Sequence, residues 1–372
     1  MELSYWEYKT WLSNIDFTVV GSGIVGLNCA IYLKNKYPKA KVLILEKGIL
    51  PQGASTKNAG FACFGSISEI LSDLDNHSEE EVYNLVQQRW EGIQYLRKTF
   101  GDQALDFKQL GGGHELFLKT KNELYQKCTA QLEHINNLLN PIFKSNPFKE
   151  TTNSFGFNGI QPNYISHQFE GQIDTGKMMS QLVKLAYSKG IYILNNVEVS
   201  AFETTTSNVK VKTAVFEFET NKLLVATNGF AAQLLNKEVK PARAQVILTE
   251  PIKNLKIKGT FHLDEGYYYF RNIDDRILFG GGRNLDLKIE ETYEFGETER
   301  IQNQLENYLK NMIIPHEKDI KIAQRWSGIM GVGQQKSPII EQLNDHVFCG
   351  VRLGGMGVAI GSFVGKELAE LV

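Results

Sequence analysis

Apolar and polar positions along the chain fall into two rhythms. Short apolar runs occur at 17–20, where Thr18 is the one polar residue, and at 42–45, 191–194, 223–226 and 347–349. Runs with no polar face suit strands buried on both sides, as in the parallel sheet of an α/β domain. Between them apolar residues return every three or four positions. Val82, Leu85, Val86, Trp90, Ile93 and Leu96 mark one such segment over 77–100; others cover 121–140, 174–190 and 296–312. These predict helices. Alternation replaces both patterns at Val209/Val211 with Phe216/Phe218, and again across 241–285, where Gln245–Leu248, Tyr267–Arg271 and Ile277–Gly280 are joined by a turn at Asn272-Ile273-Asp274-Asp275. The second stretch predicts an antiparallel hairpin in a separate sheet. The fold class is therefore α/β plus antiparallel β, in two domains interwoven in sequence with a cleft between them.

The turn after the first run carries chemistry. Gly21-Ser22-Gly23-Ile24-Val25-Gly26 follows a strand and opens an amphipathic segment, which gives Gly-x-Gly-x-x-Gly the context it needs as a dinucleotide-binding turn. Gly21 permits the tight turn, Gly23 lets the backbone approach a pyrophosphate, and Gly26 lets helix and strand pack closely. Glu46 closes the second run, 20 residues after Gly26. A carboxylate there accepts hydrogen bonds from ribose hydroxyls and repels a 2′-phosphate, which selects FAD or NAD over NADP. The segment Gly53-Ala54-Ser55-Thr56-Lys57-Asn58-Ala59-Gly60 then replaces the crossover helix of a nicotinamide domain. Its small polar residues can present N–H groups and hydroxyls to a pyrophosphate and admit a flat ring. Ala226, Thr227 and Gly229 give another permissive strand end, and Gly354-Gly355-Met356-Gly357, opening a helix at Val358, repeats the strand–turn–helix geometry near the end of the chain.

Composition narrows the reading. The 372 residues carry a net charge of −2 with no long run of either sign, so attraction to nucleic acid or anionic lipid is not expected. Cys29, Cys63, Cys128 and Cys349 are far apart, which argues against a zinc site or a disulfide framework, and no metal is expected. The first residues lack a basic, apolar leader, and no stretch suits a membrane span, so the expected location is cytoplasmic. Tyr5, Trp6, Tyr8, Trp11 and Leu12 are expected to form a small helix packed on its own domain. Gly171–Lys177 has the spacing of a nucleotide-triphosphate loop, but Met178 replaces the magnesium-binding hydroxyl and no apolar strand precedes it. It reads instead as a helix start capped by Asp174. His114 reads as a structural histidine.

Together these stretches, with Gly171–Val199, Pro241–Gln245, Tyr267–Gly282 and Trp326–Leu371, resemble the FAD-dependent oxidoreductases of the D-amino-acid oxidase family, the group that includes glycine, sarcosine and γ-glutamylputrescine oxidases. The resemblance covers most of the chain in order. It implies a glutathione-reductase-like, Rossmann-type FAD-binding domain over 1–76, 172–235 and 326–372, and an antiparallel substrate domain over 77–171 and 236–325. The first glycine turn with Glu46 and Lys47 would hold the ADP half of FAD, Ser55 to Phe61 the pyrophosphate and flavin edge, Val197 the adenine, and Gly354 to Val358 the pyrimidine side. FAD is expected to be non-covalent, although some relatives attach it through a cysteine, for which Cys63 and Cys349 are the candidates. The implied reaction oxidises the C–N bond of a small amine or amino acid by hydride transfer to flavin N5, with oxygen or another acceptor. A dehydrogenase or tRNA-modifying relative, with a non-oxygen acceptor or a larger substrate, is the alternative.

Two departures stand out. Met356 lies where relatives often have histidine, and Trp326–Gly331 holds no arginine where amino-acid oxidases grip the substrate carboxylate. Arg271 and Arg352 are the candidate replacements. Tyr268 is the candidate substrate-contacting tyrosine, with Tyr267 and Tyr269 on the opposite face.

Overall fold

The short apolar runs assemble side by side. In the computed structural model, which describes residues 3–372, the strand Ile15–Val20 pairs in parallel with Val42–Leu45 on one side and Glu217–Val225 on the other. Tyr192–Leu194 and Val347–Val351 extend this sheet in parallel at its two sides. The hairpin at 209–218 and the buried run at 223–226 prove to share one long strand. Its first half, paired with Val209–Thr213, alternates between water and core, and its second half is buried on both faces.

Helices cover this sheet. Ile24–Lys36 lies against the C-terminal helix Gly357–Glu370, and glycine makes the approach possible: a Cβ on Gly361 would strike Ile24, and one on Gly365 would sit 2.7 Å from the Val25 carbonyl oxygen. The helix Glu79–Phe100 packs on the other side of the C-terminal helix, where the Ser362 hydroxyl donates to the Gly92 carbonyl at 2.9 Å. Its ends follow its sequence. Ser78 and Glu81 form a capping box, acids fill the first turn, bases the last, and Gly101 stops it at φ +81°. The expected helix over 121–140 divides into Asn122–Ala130 and Leu132–Phe143. Thr175–Ser188 is a helix whose start Asp174 caps through the Lys177 N–H at 2.9 Å.

The second sheet runs in the order 322–332, 240–249, 276–281, 268–273, 260–263, 113–116, 163–167, 148–152. The strand Ile322–Val332 pairs along its length with Lys240–Thr249, so the expected domain limit at 326 falls inside it. One face of the sheet buries Phe157, Phe261, Phe270 and Phe279 against the helix Glu299–Tyr308. The other turns Val246 and Leu278 toward Phe61 and Cys63 of the first sheet's long connection.

The N-terminal aromatics depart from expectation. Ser4 and Glu7 do start a helical segment with a capping box, but Trp6 is 68% exposed and Tyr5 66%, and within 5–12 only Leu12 is buried. The segment is anchored through Leu12, with Leu3 packed against the same core, while the four aromatic rings stay exposed. No described helix is long and apolar enough to cross a membrane.

Candidate active site

Register brings three distant turns together. Val20, Leu45 and Val225 lie side by side, so the chain leaves the sheet at Gly21, Glu46 and Ala226 along one edge, the carboxyl ends of the parallel strands. Gly21 has φ +100°, open only to glycine at low cost, and a Cβ on Gly26 would overlap the Gly21 carbonyl oxygen. The helix therefore begins hard against the strand. The Ser22 N–H and hydroxyl donate to Glu46 Oε2 at 2.9 and 2.7 Å, and the Gly48 N–H donates to Oε1 at 2.9 Å, fixing the carboxylate.

The 53–60 segment folds over this helix start. Ser55 Oγ accepts the Ile24 N–H at 2.9 Å, satisfying one of the first-turn groups that a helix cannot pair by itself. Asn58 braces the segment from within: its Nδ2 donates to the Ala54 and Ser55 carbonyls at 3.0 and 2.9 Å, and its Oδ1 accepts the Gly60 N–H at 2.8 Å. From the other side comes the last glycine turn. Asn228 Oδ1 accepts the Leu353 N–H at 3.1 Å, and Gly354 and Gly355 hold φ +58° and +87° ahead of the helix at Gly357.

These turns enclose one cavity of about 790 Å³, within the range of small-molecule sites. Gly21, Gly23, Ile24, Val25, Glu46, Lys47 and Val197 line one end, and Ala54, Ser55, Asn58, Ala59, Ala226 and Thr227 the middle. At the far end are Phe61, Cys63, His262, Tyr267, Tyr269, Arg283 and Met330, with Gly354, Gly355, Met356, Gly357 and Val358 along the side. An extended dinucleotide fits this form. Glycine backbone faces it from two sides, a fixed carboxylate stands at one end, and the buried Thr227 hydroxyl on its wall has no partner among the described residues.

The far end is walled by side chains with altered chemistry. Cys63 Sγ lies 3.3 Å from Met356 Sδ, and burial raises its thiol well above the ordinary range. Burial pushes the Tyr269 hydroxyl up to about 12. His262 Nε2 is 2.6 Å from Glu170 Oε1, on a carboxylate wholly shut from water. Burial pulls this imidazole down, but Glu170, with Glu69 and Glu115 beyond, outweighs burial and the group rises to about 9. The pairing with Glu170 favours the imidazolium form. The Arg283 guanidinium lies 5.6 Å from the Tyr267 ring centre and has no carboxylate within ion-pairing distance among the described residues.

Other expected site residues lie outside the cavity wall. Ser22 works behind Glu46, and Gly26 packs helix on strand. The Thr56 hydroxyl donates to the Pro51 carbonyl at the surface. Gly60, at φ +73°, abuts Arg271, whose Nη2 a Cβ would meet at 2.8 Å, and Gly229 packs on the Met330 carbonyl. Arg271 is buried, its pKa brought down to about 10 by that burial, and its Nε has no hydrogen-bond partner. Arg352, at φ +65°, spends Nε and Nη2 on the Ser337 carbonyl, at 3.1 and 3.0 Å. The tyrosine strand alternates as expected, but Tyr267 and Tyr269 face the cavity, whereas Tyr268 is buried against Tyr308 in the aromatic core. His262, Arg283 and Asn228 were not singled out from sequence. For His262 the available signal was alternation, which places it one strand over from Tyr269 on the same face.

Comparison with known proteins follows the same lines. The profile of the DAO family, described as FAD dependent oxidoreductase, matches residues 16–371. The chain is 24% identical over 392 residues to the sarcosine oxidase subunit beta of Rhodobacter capsulatus, covering 99% of this chain and 88% of that one. It is 21% identical over 397 residues to the probable oxidoreductase OrdL of Haemophilus influenzae, covering 98% and 84%. Among solved structures, glycine oxidase from Geobacillus kaustophilus superposes with a TM-score of 0.75 at 18% identity, covering 96% of this chain and 94% of that one. L-proline dehydrogenase from P. horikoshii gives 0.74 at 19%, covering 96% and 93%.

Proposed function

This chain belongs to the DAO family of FAD-dependent oxidoreductases, and on that premise we propose that it oxidises the C–N bond of a small amine or amino acid by hydride transfer from the carbon beside nitrogen. The observation that carries the proposal is the single cavity joining Glu46 on the first sheet to Tyr269 and His262 on the second. The relatives bearing names of sarcosine and glycine oxidases support the substrate class.

Bound FAD supplies the two-electron acceptor. The chain's part is binding, orientation and exclusion of water. Glu46, fixed by Ser22 and Gly48, would take the adenosine ribose, and the backbone of 21–25 the diphosphate. Gly354 to Val358, tied down through Asn228 and Gly331, would face the pyrimidine side of the ring. Phe61, Cys63, Met330 and Met356 give the far end an apolar, water-excluding wall. No side-chain base is required when the amine arrives deprotonated, so the task left to Tyr267, Tyr269 and Arg283 is to hold the reacting carbon in place.

Product analysis tests this directly. FAD-loaded protein, a panel of amines and amino acids and an artificial electron acceptor should yield a carbonyl compound and released amine or ammonia in equal amounts for at least one structural class. Absence of both products across the panel would overturn the proposal.

A further inference from the structure

The far end of the cavity holds a buried imidazole–carboxylate pair, His262 with Glu170, to which the proposed reaction gives no part. Glu170 sits over Gly113, where any Cβ would collide with its carboxylate, so the glycine makes room for a buried charge. That charge takes two hydrogen bonds on Oε1, from the Thr260 hydroxyl at 2.7 Å and from His262 Nε2 at 2.6 Å. Thr260 and His262 are two apart on one strand and therefore share a face. The His262 ring is nearly buried, stands edge-on to Phe61 with centres 5.3 Å apart, and forms part of the cavity wall. Its other nitrogen, Nδ1, has no partner among the described residues. Unlike the sealed Thr227 hydroxyl, Nδ1 retains some exposure, and the cavity that its ring lines is where an acceptor can reach it.

We propose that His262, braced by Glu170, donates Nδ1–H to a carboxylate of the substrate, which makes the substrate an amine that carries a carboxylate. This rests on the amine-oxidising reading above and narrows it. The stretch Trp326–Gly331, where amino-acid oxidases tend to hold an arginine, contains none, and Arg271 and Arg352 lie off the cavity wall, so the carboxylate must be met elsewhere. Around the ring, Glu170, Glu69 and Glu115 favour its charge, and Tyr269 faces it from the neighbouring strand. His114 and His167, the nearest imidazoles, are brought down to about 4 and about 3, first by burial and then by the positive charge of His262, and are neutral at physiological pH. Among these histidines the charge at neutral pH therefore belongs to His262.

The test is the binding of acetate and benzoate to FAD-loaded protein, read from the change in the oxidised-flavin absorption between about pH 6 and 10. Wild type should bind with constant affinity at low pH and lose affinity above about pH 9, by about tenfold per pH unit. Glu170→Gln should move that transition down to or below the ordinary histidine value of about 6.5, because burial is then no longer outweighed, so that binding is already weak at pH 7. His262→Asn should weaken binding about 10- to 100-fold at pH 7 and abolish the transition. If either variant fails to fold, the wild-type profile alone decides. A flat wild-type profile, or binding lost only in Arg283→Gln, assigns the anion elsewhere and overturns the proposal. Turnover of amines lacking a carboxylate as readily as their carboxylated counterparts would also overturn it while leaving amine oxidation intact.

Discussion

The two ends of the cavity are built from different materials. The nucleotide end is backbone: three glycine-bearing turns, held by Ser22, Ser55, Asn58 and Asn228, present N–H groups and space. The end proposed for the substrate is side chain: Tyr269, His262 and Met330 stand on one sheet, and Arg283, Cys63 and Met356 approach from the turns around it. A backbone site tolerates no added atoms where chain meets chain, whereas a side-chain site can be altered one function at a time. Substitutions at the first end should therefore act all or none, and those at the second should grade activity with the cofactor in place.

The largest effect is expected from Gly26→Val. Its Cβ would overlap the Gly21 carbonyl oxygen, and relieving that overlap should cost about 3 kcal/mol or more. Purified variant should lose its flavin absorption and melt well below wild type; a fully yellow, equally stable variant would remove the contrast. Next, the tyrosine strand separates fold from chemistry. Tyr268→Ala, in the aromatic core, should cost about 3–5 kcal/mol in denaturant unfolding, with kcat/KM per folded molecule nearly unchanged. Tyr269→Ala should keep FAD and stability while kcat/KM falls about 10- to 100-fold. Reversal of that pattern would put the substrate on the other face.

A pH effect follows from His262. Its folded-state pKa of about 9 exceeds the unfolded value near about 6.5, so its contribution to stability is complete below about 6.5 and is lost as pH rises through about 9. Thermal melts should fall across that window, and His262→Asn should flatten the fall. The smallest effect is expected at Ser55→Ala. Losing the hydroxyl that accepts the Ile24 N–H should cost about 1 kcal/mol and raise the FAD dissociation constant several-fold, whereas Thr56→Ala, at the surface, should leave that constant unchanged.

The same contrast explains what the sequence revealed. Glycine announces backbone geometry in one letter, so the turns at Gly21, Gly354 and around Ser55 were legible, and so were the parallel runs that align them. Side-chain sites on a sheet depend on which face meets the cavity. A shift of one position exchanges Tyr268 for Tyr267 and Tyr269, and alternation alone gives two faces without saying which is inside. Arg271 and Arg352 looked available because arginine near a candidate site suggests a carboxylate. One is enclosed beside Gly60 and the other is tied to Ser337, contacts that only the tertiary fold creates. His262 went unnoticed because its meaning lies in Glu170, 92 residues away in sequence and 2.6 Å away in space. The N-terminal aromatics show the limit of composition: their apolarity suggested burial, yet their face turns to water.

The most direct measurement of the central claim is anaerobic absorbance spectroscopy of the FAD-loaded protein during addition of amino acids and amines. A substrate held at the Tyr269 end should bleach the oxidised-flavin band within turnover time in wild type, more slowly in Tyr269→Ala, with FAD retained in both. A protein that binds FAD at the glycine turns but keeps its full absorbance against every amine and amino acid offered would contradict the claim that one cavity serves both cofactor and substrate.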